Sequence, residues 1–294
     1  MGKVFKALSK LESEHPQSSL AAAVVASEEA RVEANEDENP DEFDFIHYSL
    51  NTPSAEELGR MHRSVNDTPF ARHRVSTPVR EISLDASRID PHLVTFYDFD
   101  PRAAEEYSKT AITLISAVAE QPLKRVLIAS AQHGEGRTCV TLNLACALAQ
   151  AKQRVLVIDT DLHRPSSLRL LGVESEVGIV EALARSLPPN DVAITIKPYG
   201  FAVLPLRERV ENSAEILASP AFRSMLNSFE PDYDFMLFDS SPLLESNDAN
   251  LLMKLTNATV MVIRPGKTNA GHISKAIAPL AEDNIFGVVL NRAD

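Results

Sequence analysis

The sequence predicts an α/β fold, a mostly parallel sheet with helices on both faces, preceded by a largely disordered N-terminal extension. From Ile89 onwards, short and nearly continuous aliphatic segments alternate with helical patterns. This alternation is typical of parallel strands that are buried on both faces. One of these strands leads through a loop with two glycines into a helix, over residues 125–150. Residues 12–44, in contrast, show no hydrophobic period and are rich in acidic side chains.

Composition restricts the class of protein. A chain of 294 residues with 44% hydrophobic residues can form one main domain and an extension. The net charge of −12 argues against a nucleic-acid partner, because such binding depends on lysine and arginine. No apolar run approaches the roughly 18 residues of a membrane span. We therefore expect a cytoplasmic protein that a partner can recruit to the inner face of the membrane. Cys139 and Cys146 are predicted as buried thiols rather than a disulfide or metal pair.

Residues 1–88 are predicted to form an N-terminal extension. Residues 1–11 have the pattern of a short amphipathic helix with lysines on its polar face. Docking on the protein's own core, on a membrane surface or on a partner stays open for this helix. Residues 12–44 are predicted to be disordered, with an acidic docking tail as the alternative. Residues 45–90 contain prolines that break any long helix, and we interpret them as a solvated linker.

Residues 89–294 are predicted to form a single nucleotide-binding domain. Its predicted helices begin near Pro101 and after the glycine loop, and then cover Val177–Ala184, Ser213–Phe229 with an interruption near Pro220, Asp248–Leu255 and Ile273–Ala281. Its predicted strands are Val126–Ala129, Arg154–Asp159, Phe201–Leu204, Asp234–Asp239, Thr259–Ile263 and Ile285–Leu290. Ligands of such sheets bind at the carboxyl ends of the strands. The residues that directly follow each strand are therefore the candidate site residues.

The loop after the first strong strand has the layout of a phosphate-binding loop. Gly134 and Gly136 allow backbone N–H groups to point at an anion, and the helix that follows adds the partial positive charge of its N-terminus. The general pattern is G-x-x-x-x-G-K-[ST], in which the final hydroxyl binds Mg²⁺. This chain has Ala131 in place of the first glycine, Arg137 in place of the lysine and Thr138 as the hydroxyl residue. The sequence therefore predicts a nucleotide site in which the main cation is altered.

Three further strand ends carry polar residues. Asp159 and Asp161 follow the second strong strand, Asp239 ends a later one, and Asn291 follows the last. Carboxylates that face a phosphate loop suit a metal–phosphate site, with one left to orient or deprotonate a nucleophile. The alternative is that each aspartate only caps a following helix. Three such aspartates beside a glycine loop favour the nucleotide site.

Together these motifs resemble those of the bacterial tyrosine kinases of capsule and exopolysaccharide systems, a branch of the Min-type and Par-type P-loop ATPases. The resemblance covers roughly Ile89 to Asp294. The segment Ser130-Ala-Gln-His-Gly-Glu-Gly-Arg-Thr138 is similar to the first Walker motif of that family. The other similar segments are Val157–Pro165 (the second motif), Phe238–Pro242 (Walker B), Arg164–Gly172, Asn212–Leu217, Arg264–Thr268 and Val289–Arg292. The resemblance implies the P-loop NTPase fold.

The resemblance also implies that the cofactors are ATP and Mg²⁺. It further implies three sets of site residues. The implied cofactor-binding residues are Gln132, His133, Gly134, Glu135, Gly136, Arg137, Thr138, Cys139 and Asn291, the last facing the adenine. The implied catalytic residues are Arg137, Asp159, Asp161 and Arg164. The implied metal ligands are Thr138, Asp159 and Asp239, the last through water.

The partners implied by the resemblance are proteins. The family phosphorylates tyrosines, its own and those of sugar-activating enzymes, and a membrane chain-length (polysaccharide co-polymerase) adaptor stimulates it. Because this sequence has no membrane span, we expect its adaptor to be a separate protein. Members usually end in a tyrosine cluster, whereas the last tyrosine here is Tyr233, so we expect no phosphorylation of such a tail. Ser108 and Ala111 replace the arginines that join family members into a ring, so oligomerisation stays open.

Three functions compete at this point. The first is an ATP-dependent tyrosine kinase or kinase-like regulator of polysaccharide synthesis and export. The second is a catalytically weak, ATP-responsive scaffold, because the planar fork of Arg137 need not fit where a lysine binds phosphate. The third is a Min-type or Par-type positioning ATPase. Gln132 argues against the third function, since it replaces the extra lysine that those ATPases carry.

Overall fold

The computed structural model describes residues 46–48, 80–96, 100–118, 123–280 and 285–291. The predicted amphipathic helix at residues 1–11 and the predicted disordered segment at residues 12–44 lie outside these ranges. Most of the predicted linker lies outside them as well. The boundary at residue 89 stays a prediction.

The described residues form one mixed sheet. Its strands are β1 (Ile46–Tyr48), β2 (Arg80–Ser83), β3 (Arg125–Ser130), β4 (Val155–Asp159), β5 (Ile194–Lys197), β6 (Phe201–Leu204), β7 (Phe235–Asp239), β8 (Ala258–Ile263) and β9 (Ile285–Leu290). Within the described ranges the strand order is β1-β9-β8-β3-β7-β4-β6-β5-β2. The β1–β9 and β5–β6 pairs are antiparallel, and the remaining pairs are parallel. The predicted fold class, a mostly parallel sheet, is confirmed.

Helices cover both faces of this sheet. They are α1 (Pro101–Val118), α2 (Arg137–Gln150), α3 (Ser167–Leu171), α4 (Ile179–Arg185), α5 (Ser213–Ala218), α6 (Pro220–Phe229), α7 (Asp248–Met253) and α8 (Ala270–Ile277). The predicted interruption near Pro220 is present, because the Ser219 hydroxyl accepts a hydrogen bond from the Phe222 N–H and begins α6 anew. None of the helices in the described ranges is long and apolar enough to cross a membrane.

The core lies in two layers, one on each face of the sheet. Successive strand residues alternate between the layers, so Val126 and Ile128 pack in one and Leu127 packs in the other. Residues of α1, α2 and α3 complete the first layer, and residues of α4 to α8 complete the second. The central strands are buried along their whole length. Burial on both faces explains why the sequence shows them as continuous aliphatic segments.

The linker interpretation of residues 45–90 is wrong at two places. β1 pairs with β9 at one edge of the sheet, and β2 pairs with β5 at the other. In β2 only Ile82 is even partly buried, and it packs against the first core layer. A strand of four residues with one apolar contact gives almost no periodic signal, so tertiary pairing decides its structure. β5 was not predicted either. Its residues alternate between buried and partly buried, but this pattern covers only four residues, which is too short to indicate a strand.

Candidate functional site

The phosphate-binding loop connects β3 to α2 at the carboxyl edge of the sheet. Gly134 and Gly136 have φ values of 78° and 88°, in the left-handed region that favours glycine. A Cβ on Gly136 would lie 1.9 Å from Nδ2 of Asn291, so another residue cannot fit there without moving the loop. Asn291 also donates to the Glu135 carbonyl, at 3.0 Å. The last strand therefore supports the loop directly.

Arg137 is turned into the protein. Its side chain is only 5% exposed, and all three nitrogens of its guanidinium donate hydrogen bonds to other residues. Nε donates to the Ser240 carbonyl at 2.8 Å, and Nη2 donates to Oδ2 of Asp161 at 3.2 Å. Nη1 donates to the Ser130 hydroxyl and to the Gln132 carbonyl. Arg137, which stands in the position of the phosphate-binding lysine, is thus held by residues at the ends of β3 and β7 and by the segment after β4.

Thr138 lies where three strand ends meet. Its hydroxyl donates to Oδ2 of Asp239 at 2.6 Å and accepts from the Ser166 hydroxyl at 2.9 Å. A threonine at the start of α2 is thereby joined to the end of β7 and to the segment that precedes α3. The sequence analysis predicted Thr138 and Asp239 as neighbours at one metal site, and the structure brings them into direct contact.

Asp159 is fully buried beside them. Its Oδ2 accepts from the Ser167 hydroxyl at 2.6 Å and from the N–H groups of Ser166 and Ser167 at 3.3 and 3.1 Å. Burial raises the pKa of Asp159 to about 6, with a smaller rise from the nearby Asp161. Burial, and then repulsion from Asp159, raise the pKa of Asp239 well above its usual range. Two adjacent carboxylates withdrawn from water are therefore costly in the absence of a cation.

Asp161 is held at the same edge. Its Oδ1 accepts from the Arg164 N–H at 3.1 Å and from the Ser241 hydroxyl at 3.3 Å, while Oδ2 binds Arg137. Arg164 itself is exposed at the rim of the site. The two predicted catalytic residues after β4 are therefore close in the fold, but Asp161 is paired with Arg137 inside and only Arg164 reaches solvent.

The other predicted binding residues surround the loop. The His133 N–H donates to Glu245 at 2.8 Å, and burial together with the charges of Arg164 and Arg137 lowers the pKa of His133. The Gln132 side chain lies 3.0 Å from the ring of His272. Cys139 is partly buried, and burial raises the pKa of its thiol to about 12.

Comparison with known proteins decides the family. The model of the AAA domain family matches residues 123–274, just over half of the chain. The tyrosine-protein kinase YwqD of Bacillus subtilis is 28% identical over 70% of this chain and 87% of its own length. The kinase domain of the Escherichia coli tyrosine kinase ETK, a solved structure, is 27% identical, with a TM-score of 0.65 over 85% of this chain and 91% of that domain.

The chain belongs to the AAA domain family, in its branch of bacterial tyrosine kinases. The resemblance to bacterial tyrosine kinases that the sequence motifs indicated is confirmed. Another relative, the succinoglycan biosynthesis transport protein ExoP of Rhizobium meliloti, is 25% identical over 65% of this chain. The chain spans only 25% to 35% of the length of such longer relatives. The predicted P-loop NTPase fold is confirmed by the same comparisons.

The carboxylates of the domain fit a divalent cation. Among the described residues, Oδ1 of Asp159 and Oδ1 of Asp239 are buried and have no hydrogen-bond partner. A buried carboxylate oxygen without a donor is unfavourable unless a cation or water binds it. Mg²⁺ prefers one or two carboxylates, a hydroxyl, phosphate oxygens and water. The paired oxygens of these aspartates, next to the Thr138 hydroxyl, match that set.

The structure also shows site residues that the sequence analysis missed. Ser166 and Ser167 orient Asp159, and Glu245 binds the loop at His133. Thr268 was missed as well: its hydroxyl donates to the fully buried side chain of Glu135, a predicted loop residue that also accepts from the Gln132 N–H. Two serines directly after the second motif were a usable signal, because their hydroxyl and N–H groups can reach back to an aspartate. No sequence signal pairs Thr268 with Glu135.

Proposed function

We propose that this chain is an ATP-binding, tyrosine-kinase-like regulator of exopolysaccharide or capsule synthesis and export. In this role it transfers the γ-phosphoryl group of ATP to tyrosine side chains of proteins. The observation that carries the proposal is the hydrogen-bonded pair of Thr138 and Asp239 beside the glycine loop, with Asp159 opposite Asp239 in the strand register and with one buried, unpartnered oxygen on each aspartate. The similarity to YwqD, a tyrosine-protein kinase, and to ExoP, a succinoglycan biosynthesis transport protein, supports the choice of reaction and pathway class.

The residues divide the work of phosphoryl transfer in a simple way. The loop N–H groups and the N-terminus of α2 bind the phosphates. Thr138, Asp159 and Asp239 would hold Mg²⁺, and the bound ion would supply positive charge that neutralises the transferred phosphoryl group. Asp161 lies at the end of the same group, where it orients the tyrosine hydroxyl and accepts its proton. Arg164, exposed at the rim, adds positive charge at the entrance.

A second function, a catalytically weak ATP-responsive scaffold, is favoured by one observation. Arg137 binds Asp161 and three other acceptors inside the protein. An arginine held in this way does not offer the mobile point charge that a lysine brings to the phosphates, and it also occupies an oxygen of the proposed base. Both effects should slow phosphoryl transfer more than they weaken ATP binding, because the loop N–H groups that bind the phosphates are unaffected.

The proposed partners follow from the same function. A membrane polysaccharide co-polymerase adaptor would recruit the domain to the inner face of the membrane and stimulate it, and proteins with accessible tyrosines would be its substrates. The position of Ser108 bears on assembly, because its hydroxyl is bonded to the Ala104 carbonyl within α1. A neutral hydroxyl that is already bonded within its own helix offers neither the charge nor a free donor for an intersubunit contact.

One experiment separates the two functions. The purified domain is incubated with γ-labelled ATP and Mg²⁺, alone and with the cytoplasmic segment of the co-polymerase adaptor, and phosphotyrosine is measured beside equilibrium ATP binding. Adaptor-stimulated phosphotyrosine supports the kinase. Binding without phosphotyrosine supports the scaffold, and an absence of ATP binding contradicts both.

The companion variant is Arg137→Lys. We expect at least a roughly tenfold rise in phosphotyrosine formation with a smaller change in ATP affinity, because lysine frees Asp161 and contributes in the transition state. Arg154→Lys is the matched control, since Arg154 pairs with Asp234 at the opposite end of β4. An unchanged rate for Arg137→Lys would show that this arginine does not limit turnover.

A further inference from the structure

Two further cations, Arg264 and Lys267, lie against the phosphate-binding loop, and Nη1 of Arg264 donates to the Gly134 carbonyl at the longer distance of 3.5 Å. Lys267 is exposed, and its Nζ donates to the carbonyls of His133 and Gly134 at 3.1 and 3.3 Å. A Cβ placed on Gly134 would lie 2.6 Å from this nitrogen. Within the described residues, no carboxylate forms an ion pair with Lys267. Its ammonium group is thus bound only by neutral acceptors of the loop itself.

The segment that carries Lys267 is fixed to the loop. It is the turn Arg264–Thr268 between β8 and α8, in which the N–H groups of Lys267 and Thr268 donate to the Arg264 carbonyl at 3.1 and 3.0 Å. Thr268 is buried, and its hydroxyl donates to the fully buried Glu135 of the loop. The backbone of the turn is therefore anchored, while the side chain of Lys267 is long, intrinsically flexible and exposed.

The neighbouring Arg137 cannot play the same part without losing its contacts. Its guanidinium is buried and every nitrogen already donates to the protein, whereas Lys267 gives up only two bonds to neutral carbonyls. A charged phosphate oxygen is a stronger acceptor for an ammonium group than a peptide carbonyl. Binding of a polyphosphate in the loop therefore favours transfer of the Lys267 ammonium from the carbonyls to the phosphates.

We propose that Lys267, supplied from the turn after β8, is the cation that binds the phosphate chain of the nucleotide in place of the lysine that Arg137 replaces. This inference rests on the proposed function, since it assumes that the loop binds ATP. It makes Lys267 a phosphate-binding residue on an element outside the loop. Arg137 then serves as an internal brace between the strand ends.

The test is calorimetric titration of the full chain with Mg²⁺ and a non-hydrolysable ATP analogue, adenylyl imidodiphosphate, so that no turnover is needed. Lys267→Met keeps most of the length of the unbranched side chain and removes the charge. We expect it to weaken binding roughly tenfold or more, the usual effect of losing a charged hydrogen bond. Lys275→Met, an exposed lysine on α8, is the matched control and should bind as the wild type does. Lys267→Arg should retain most of the affinity.

A double-mutant cycle that combines Lys267→Met with Arg137→Lys tests whether Lys267 replaces the missing lysine or only supports the structure of the loop. If Lys267 substitutes for the missing lysine, Lys267→Met will cost clearly less affinity in the Arg137→Lys background than in the wild type. Equal losses in both backgrounds would overturn the proposal, and so would a Lys267→Met protein that binds the analogue like the wild type. A wild-type protein that does not bind the analogue would contradict the proposed function itself, and this inference with it.

Discussion

Buried charge dominates at the scale of single residues. Asp159 and Asp239 are removed from water, and each has one oxygen without a partner among the described residues. Within the same ranges, Arg137 alone offers a buried positive charge. Such an arrangement lowers stability and is typical of sites that bind a cation. Two predictions at this scale follow from the pKa shifts.

The first concerns the effect of pH on stability without Mg²⁺. Because the pKa of Asp159 is about 6 in the folded state and 3.8 in the unfolded state, the folded state binds more protons between these values. Stability therefore falls as pH rises from about 4 to 6. Asp159→Asn removes this loss, so we expect its melting temperature in EDTA to exceed that of the wild type by a few degrees at about pH 7.5, and the gain to vanish near pH 4.

Asp234→Asn is the control with the opposite sign. Burial raises the pKa of Asp234, but the hydrogen bonds and charge of Arg154 outweigh this and lower it. The ionised carboxylate of Asp234 therefore stabilises the fold above its unfolded pKa, and the variant should melt lower than the wild type at about pH 7.5. A destabilised Asp159→Asn variant at that pH would contradict the explanation by buried repulsion.

The second prediction concerns thiol reactivity. Burial raises the pKa of Cys139 to about 12 and that of Cys146 to about 11, so neither thiol forms appreciable thiolate at neutral pH. We expect alkylation by iodoacetamide at about pH 8, followed by mass spectrometry, to be at least roughly tenfold slower in the native protein than in urea. Equal rates in both states would show that the thiols are accessible and that α2 is not packed as described.

At the scale of elements, the loop and the last strand act together. Asn291 at the end of β9 occupies the space that a side chain on Gly136 would need. A glycine is therefore required at position 136 for two reasons, the positive φ and the close approach of the Asn291 side chain. The sequence pattern predicted the first requirement. It could not predict the second, which depends on how a strand more than 150 residues later in the chain is placed.

Two alanine variants separate these requirements. Gly136 and Gly200 have similar φ values of 88° and 84°, but a Cβ on Gly200 has no neighbour within 4 Å. Gly200→Ala should cost about 1 kcal/mol from backbone strain alone. Gly136→Ala should cost more and should weaken ATP binding at least roughly tenfold, because the loop must move away from Asn291. Chemical denaturation and calorimetric titration measure both. Equal costs and unchanged binding would mean that the contact is unimportant.

At the scale of the whole molecule, the sequence predicted the strands that are buried on both faces of the sheet, because such burial requires continuous aliphatic segments. The central strands β3, β4 and β7 were predicted because each is a continuous aliphatic segment between layers of helices. The edge strands β1 and β2 were missed, since pairing rather than periodicity determines them. The site residues were predicted because parallel strands end at one edge.

The inward contacts of Arg137 were beyond sequence reasoning. They join residues from three separate strand ends, among them Ser240 and Asp161, and no local pattern specifies such contacts. The same is true of the turn that carries Lys267, whose position depends on the buried pair of Thr268 and Glu135. Motif matching locates the site, whereas tertiary contacts determine which cation can reach the phosphates.

The function proposed for the molecule requires that this loop bind a metal–nucleotide complex although Arg137 replaces its lysine. Calorimetric titration of the wild type with ATP, with and without Mg²⁺, measures that binding. We predict saturable binding with a Kd of about 1 µM to 1 mM, and a loss of at least roughly tenfold when Mg²⁺ is omitted or Thr138 is changed to Ala. No binding by the wild type, or binding that depends on neither Mg²⁺ nor Thr138, would contradict the proposed metal–nucleotide site.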